Sequence, residues 1–193
     1  TQLLGDAGFS SNAAIIANTL NGLFGLIGIC TGVYLINKIN RRTMLIGGFI
    51  ATTTFHLLIG LSAQLLPDGS VKAYFILLFV VLFVFSMQGT LAPLTFVILS
   101  EIFPLQVRSL AYGISLFALW ITNAVVSLGF PPVVAAAGIG PTFFVFFGLG
   151  LFAIAFSVRY IPETRGRSLE ELEAQFRRDG SRDADQSAPR PRS

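Results

Sequence analysis

Three short segments place acidic and basic residues close together in a chain that is otherwise poor in charge. Arg41 and Arg42 are adjacent, Glu101 precedes Arg108, and Glu163 precedes Arg165. Carboxylates and guanidinium groups form strong, charge-assisted hydrogen bonds with one another. The chemistry that these segments support is therefore ion pairing.

The residues that catalysis needs are scarce. The 193 residues include one histidine and one cysteine, and no acidic residue lies in the middle of a long apolar stretch. An enzyme embedded in a membrane needs a convergent acid, base, metal site or nucleophile. We therefore expect no enzyme, no metal site and no cofactor, and we favour a packing role for His56.

The hydropathy of the chain shows which elements must position these residues. The sequence is 53% hydrophobic and 12% charged, and its mean hydropathy is +0.74, which is typical of membrane proteins. A helix needs about 20 apolar residues to cross a bilayer, and the helical form satisfies its own backbone groups. Five stretches meet this condition and predict an all-α integral membrane protein: 11–37, 43–66, 73–100, 109–130 and 142–160.

The last two stretches are separated by proline and glycine rather than by charge. Pro131, Pro132, Gly138, Gly140 and Pro141 lie between them. Since proline and glycine interrupt helices, this segment predicts a tight turn.

Lysine and arginine predict the orientation in the membrane, because cytoplasmic connectors carry an excess of both. When the connectors are assigned to alternate sides, one side holds only Lys72 and the other holds Lys38, Arg41, Arg42, Arg108, Arg159, Arg165, Arg167, Arg177 and Arg178. This pattern predicts a cytoplasmic C-terminus. The net charge of +3 does not indicate nucleic-acid binding, because the basic residues are confined to connectors and the tail.

Three regions follow from this reading. Residues 1–160 form a five-span membrane part, 161–180 form a cytoplasmic segment with a short helix, and 181–193 form a polar, disordered tail. An odd number of spans with an outside start, and a first residue other than methionine, lead us to expect at least one further helix upstream.

The charged segments, taken in order, resemble a known set of signatures. Arg41-Arg42, Glu101-Ile-Phe-Pro-Leu-Gln-Val-Arg108 and Pro162-Glu-Thr-Arg-Gly-Arg-Ser-Leu-Glu-Glu171 are similar to the signatures of the sugar porter family of the major facilitator superfamily. The first departs from the family pattern, since Asn37 replaces an acid and Asn40 replaces a glycine. We expect Asn40 to adopt the left-handed conformation that glycine would supply.

The resemblance implies a fold and a function. The five spans correspond to helices eight to twelve of a twelve-helix fold, that is, to most of its C-terminal bundle. It implies transport of a neutral sugar or polyol by alternating access, proton-coupled in the complete protein. It also implies an N-terminal half as partner, residence in the plasma membrane, and no nucleic-acid partner.

The resemblance also assigns substrate-binding positions. The family's tryptophan and asparagine correspond to Trp120 and Asn123 in the fourth span. In the third span, the family's polar position corresponds to Gln88, and a tryptophan later in the same helix is replaced by Phe96. Gly89 and Pro93 represent its broken-helix hinge, because both residue types permit bending.

An asparagine of the family falls on Gly25 in the first span. Asn21 lies one turn earlier on the same face, so it can supply the amide instead. For Asn21, Gln88 and Asn123, hydrogen bonding between helices is the alternative interpretation.

The charged positions carry a second implied role. Arg41, Arg42, Glu101, Arg108, Glu163 and Arg165 are expected to form ion pairs that exist in one conformation and break in the other. The alternative is that they only anchor the helices and set the topology.

The sequence does not decide between several related substrates. The sequence is most similar to bacterial myo-inositol transporters, with hexose or pentose porters as the alternative. A membrane scaffold or receptor that does not transport also fits the hydropathy, but it leaves the ordered charge motifs unexplained.

Overall fold

The computed structural model describes residues 11–161, and their side chains from residue 15 onward. The predicted positions Glu163 and Arg165, the cytoplasmic segment after residue 161 and the tail 181–193 lie outside the described residues.

Five membrane-spanning helical segments account for nearly all of the described chain. They comprise α1 (Ser11–Ile36), α2 (Arg41–Leu65), α3 (Ser70–Ser86) continuing through a π-helical turn (Met87–Leu91) into α4 (Ala92–Ile102), α5 (Arg108–Ala137) and α6 (Ile139–Tyr160). By length and composition, each of the five can cross a membrane. The predicted all-α membrane fold with five spans is confirmed.

The third span is interrupted where the sequence places Gly89 and Pro93. The Ala92 N–H donates to the Met87 carbonyl, five residues earlier, which defines the π turn. Proline lacks an N–H and crowds the preceding turn, so the regular α-helical pattern cannot pass through Pro93 undisturbed. Turns of this kind insert one extra residue into an α-helix and occur frequently at functional sites.

Two local predictions were wrong. Pro131 and Pro132 do not end the fourth span, because α5 continues to Ala137 and the break comes at Gly138, whose φ of 86° favours glycine. Asn40 does not adopt a left-handed conformation: its φ is −62° and its ψ 138°. The extended Asn40 begins α2, since its carbonyl accepts the first helical bond from the Met44 N–H at 2.9 Å.

α2 is the central helix of the bundle, with α3, the π turn and α6 around it. One buried cluster joins Ile59 of α2 to Ile76, Val80 and Phe143, and a second joins Met44 and Leu45 to Leu94. α5 lies at the edge, where its main neighbours among the described residues are α4 and α6. Its side chains are consequently the most exposed of the bundle.

Candidate functional site

Arg41 connects the ends of three helices on the side of the membrane that the sequence assigns to the cytoplasm. It stands at the first position of α2, where its Nη2 donates to Glu101 Oε1 of α4 at 3.1 Å. Its Nη1 donates to the carbonyl of Ile36, the last residue of α1, at 2.9 Å. The carbonyls at a helix C-terminus lack partners within the helix and attract cations. One guanidinium thus satisfies a carbonyl and a carboxylate on two other helices.

Arg42 and Arg108 make further contacts at the same end. The Arg42 Nη2 donates to the Val158 carbonyl near the end of α6 at 2.5 Å, and the Arg108 Nε donates to the Phe103 carbonyl at 3.2 Å. Arg42 therefore links α2 to α6, whereas Arg108 closes the short connector between α4 and α5. The structure brings Arg41 and Glu101 together directly and places Arg108 at the start of α5, where the neighbouring connector ends.

The opposite end of the bundle is arranged differently. Lys72 pairs with Asp68 at 2.9 Å, one helical turn away, and the carboxylate is almost fully exposed. A cleft of about 820 Å³ opens beside this pair, between the α2–α3 connector and the α5–α6 connector, and Gln64 and Pro141 contribute to its lining. The predicted substrate-binding residues do not line this cleft.

Three glycines of α1 face the third span: Gly25, Gly28 and Gly32. A Cβ atom built on Gly28 would lie 2.7 Å from the Phe85 carbonyl oxygen, and one on Gly32 would lie 2.6 Å from that of Gly89. A side chain at either position would keep the two helices apart. Glycine therefore allows α1 to lie directly against the backbone of the third span.

Two of the predicted substrate-binding amides lie along this interface. The Gln88 side chain is half-buried in the π turn, and its Cγ lies 3.8 Å from a Cβ built on Gly25. Asn21 stands one turn before Gly25, and its Oδ1 is buried without a hydrogen-bond partner among the described residues. Since amides both donate and accept, the two side chains can bind hydroxyl groups.

The remaining predicted substrate residues are not part of this pair. Trp120 and Asn123 lie on α5 with exposed side chains, and Phe96 is exposed on α4. Trp120 stands twelve positions after Arg108, which begins α5, and so about 18 Å along the helix axis. Asn21 and Gln88 therefore lie at the contact between α1 and the third span, whereas Trp120 and Asn123 lie on α5.

His56 lies in an aromatic environment. Its ring centroid is 4.7 Å from that of Phe83, 5.8 Å from that of Phe143 and 5.7 Å from that of Phe146. These contacts agree with the packing role favoured from the sequence.

The backbone acceptors at the arginine end were missed by sequence reasoning. The Ile36 and Val158 carbonyls receive Arg41 and Arg42, yet every residue has a carbonyl and its type gives no signal. The available signal was position, since both carbonyls belong to last helical turns.

A family model described as "Sugar (and other) transporter" matches residues 1–176. The chain is 42% identical over 177 residues to the major myo-inositol transporter IolT of Bacillus subtilis, and the match covers 92% of this chain and 37% of that protein. It is 44% identical over 177 residues to the putative metabolite transport protein YncC of the same organism, covering 92% and 38% of the two chains. The chain therefore spans well under half the length of these relatives.

A solved structure has the same helical arrangement. The inward open conformation of the xylose transporter XylE from E. coli superposes with a TM-score of 0.76 at 25% identity. The superposition covers 90% of this chain and 39% of that one.

Proposed function

Because the chain belongs to the sugar porter family of the major facilitator superfamily, which is a family of transporters and not of enzymes, we propose that it forms most of the C-terminal bundle of a transporter for a neutral sugar or polyol. The bundle works with an N-terminal half, and the two rock about a site near the middle of the membrane. The protein is a multi-pass membrane protein, and we place it in the plasma membrane with a cytoplasmic C-terminus.

The observation that carries the proposal is the chemistry of the span interiors. Asn21 and Gln88 lie on facing helices, and the acidic residues of 15–161, Asp68 and Glu101, both lie at span ends. An amide in the middle of a membrane is costly unless it has a partner. Amides without nearby charge suit a neutral substrate that both donates and accepts hydrogen bonds, which describes a polyol.

The exposure of α5 supports the same function. Trp120 and Asn123 are exposed although they lie well inside a 30-residue membrane span. An aromatic face binds the C–H surface of a sugar ring, and an amide binds its hydroxyl groups. We infer that this side of α5 borders the substrate cavity between the two halves, with Phe96 as an apolar wall.

The arginine end supports alternating access. Arg41 and Glu101 join α2 to α4, and Arg42 joins α2 to α6, all through polar contacts at the membrane boundary. Such contacts can be replaced by water when the helix ends move apart, whereas an apolar interface would have to expose its surface to water. We propose that they hold the cytoplasmic end of the bundle in one conformation and open in the other, with Arg108, Glu163 and Arg165 contributing, and that Gly89 and Pro93 permit the bending.

We propose myo-inositol as the first substrate, with hexoses and pentoses as the alternative. The support is the 42% identity to a myo-inositol transporter, which exceeds the 25% identity to a xylose transporter. Proton coupling would rest on a carboxyl group outside this bundle, because Asp68 and Glu101 both lie at the ends of spans.

The test is uptake of labelled myo-inositol, glucose and xylose into transporter-deficient cells that express the full-length reading frame. We expect uptake of myo-inositol that excess unlabelled inositol abolishes. Trp120→Ala should lower the apparent affinity roughly tenfold, because stacking and apolar contact are lost. Phe152→Ala is the matched control, since Phe152 is similarly exposed but lies on α6, where its ring stacks on that of Phe156.

The alternatives predict different results. Uptake of glucose or xylose without inositol would keep the transport function and change the substrate. Uptake of none, with the protein at the cell surface, would reject transport in favour of a scaffold or receptor.

A further inference from the structure

The outer face of α6 carries a row of exposed rings. Phe152, Phe156 and Tyr160 follow one another at intervals of four residues, so they lie on one side of the helix. Their exposed fractions are 71%, 49% and 65%. Neighbouring ring centroids are 6.5 Å apart for the first pair and 4.9 Å for the second. These three rings, the aromatic strip, run about 12 Å along the helix axis from inside the span to its arginine end.

Arg159 differs from the other arginines at this end of the bundle. Arg41, Arg42 and Arg108 each donate to a carbonyl or a carboxylate of the chain. The exposed Arg159 instead has its guanidinium carbon 5.5 Å from the centroid of the Tyr160 ring. In the part of the chain that the structure describes, its N–H groups have no acceptor. A guanidinium supported by a ring and open on its donor side is available to an external anion.

A second positive charge lies beside Arg159. Arg42 of α2 donates through Nη2 to the carbonyl of Val158, the residue that precedes Arg159. The two carboxylates of the described residues lie elsewhere, one in the ion pair with Arg41 and the other at the opposite end of the bundle. The corner between α2 and α6 therefore carries positive charge that no acid of the described residues compensates.

Positive charge above an apolar strip matches the two parts of one class of ligand. The phosphate of a phospholipid accepts charge-assisted hydrogen bonds from a guanidinium, which can donate two in parallel. Its acyl chain can cover exposed rings that continue into the membrane. A small soluble anion would use the charge and leave the aromatic strip uncovered. Among phospholipids, those with a net negative charge are favoured by a basic surface, and they are concentrated in the cytoplasmic leaflet.

We propose that the outer face of α6 binds an anionic phospholipid, with the headgroup phosphate on Arg159 and an acyl chain along the aromatic strip. The charge of Arg42 adds to the attraction, and Tyr160, packed on Phe156, holds the Arg159 guanidinium in place. This site is separate from the proposed substrate residues, and the inference does not depend on which sugar or polyol is transported.

The experiment locates the lipid on the protein. The purified full-length transporter in neutral detergent is mixed with phosphatidylglycerol that carries a diazirine in one acyl chain, illuminated, and mapped by peptide mass spectrometry. We expect labelling on α6 between Phe152 and Tyr160, and several-fold less from the same probe built on phosphatidylcholine. Below saturation, Arg159→Ala should lower the labelling roughly fivefold, because one basic residue near an anionic surface contributes about that factor.

Lys38→Ala is the matched control. Lys38 is an exposed cation at the same end of the bundle and also lies over a tyrosine, 4.3 Å from the Tyr34 centroid, but its ammonium donates to the Tyr34 hydroxyl. Its removal takes away the same charge and should leave the labelling of α6 unchanged. Arg159→Lys keeps the charge and loses the planar pair of donors, so its labelling should be intermediate. It is also the variant to measure if Arg159→Ala does not fold.

Each outcome decides the matter. Equal labelling by the two lipid probes, or equal losses in Lys38→Ala and Arg159→Ala, overturns the inference, because the surface would then be ordinary lipid boundary. Loss of labelling in excess inorganic phosphate also overturns it, because the corner would then bind any phosphate. Failure of both Arg159 variants to fold would show a structural role and overturn it too. The expected labelling in a protein that takes up none of the tested substrates would keep the lipid site and reject the proposed function.

Discussion

The two ends of the helical bundle are held together in different ways. At the end assigned to the cytoplasm, Arg41 and Arg42 reach partners 60 and 116 positions away in the chain. At the opposite end the ion pair is local, between Asp68 and Lys72, and the helices meet through small residues, with Gly60 against the Phe144 ring.

The two kinds of contact respond differently when helices move apart. Polar contacts between helix ends can be replaced by contacts with water when the ends separate, because both charged groups then become hydrated. A glycine packed against an aromatic ring allows little sliding because the interface has one close fit. The comparison leads us to propose that motion within this bundle begins at the arginine end while the other end stays packed.

The largest effect is expected from Arg41→Ala. The variant loses the contacts to both Glu101 and the Ile36 carbonyl, and it leaves a half-buried carboxylate without this partner, which should cost about 2 kcal/mol. We expect uptake to fall roughly tenfold or more with normal membrane insertion. Uptake and surface labelling of Lys72→Ala, at the other end, provide the matched control, and equal uptake by both variants would contradict the comparison.

Gly60→Ala tests the packed end. The added Cβ would lie 2.8 Å from a carbon of the Phe144 ring, so the ring must shift and the protein should lose about 1 kcal/mol of stability. The measurement is the Tm of the purified protein in detergent. Gly47→Ala on the same helix has open space around it and should leave the Tm unchanged, and a stable Gly60→Ala would show that this end tolerates sliding.

Glu101→Gln has a smaller effect because the amide keeps one acceptor for Arg41. The ion pair links two helices, with Arg41 18% and Glu101 31% exposed, and loss of its charge should cost about 1 kcal/mol. A double-mutant cycle with Arg41→Gln measures the coupling directly. Additive effects would mean that the two side chains do not cooperate.

Asp68→Asn should have the smallest effect of the set. The Asp68 side chain is 98% exposed and its partner lies one turn away, and exposed pairs of this kind contribute about 0.5 kcal/mol or less. We expect unchanged uptake and Tm. A loss comparable to that of Glu101→Gln would place a second functional ion pair at this end.

Much of the fold could be predicted from the sequence because the membrane leaves few alternatives. Apolar length and the need for internal hydrogen bonds predict five helices. The exact helix ends could not be predicted in the same way. Pro131 and Pro132 predict a turn, yet the helix passes through both and ends at Ala137, just before Gly138. Proline is tolerated inside membrane helices where other groups compensate, so it marks helix ends less reliably than in soluble proteins.

The candidate site could be predicted only in part. Residue types and family resemblance indicate Gln88 and Asn21, but not that Gly25 lies between them with room for a methyl group. Gly25, Gly28 and Gly32 look alike in the sequence. Which of them touches backbone depends on how α1 and the third span are rotated against each other, and no local pattern contains that information.

The π turn at Met87–Leu91 has a consequence for the far end of its span. A regular α-helix turns by about 100° for each residue, so one extra residue in a single turn offsets the angular phase of everything that follows. The direction in which Glu101 leaves α4, and therefore its meeting with Arg41, is set inside the membrane beside Gln88. Removing one residue from Met87–Leu91 would leave the charges of the sequence intact and turn Glu101 away from its partner.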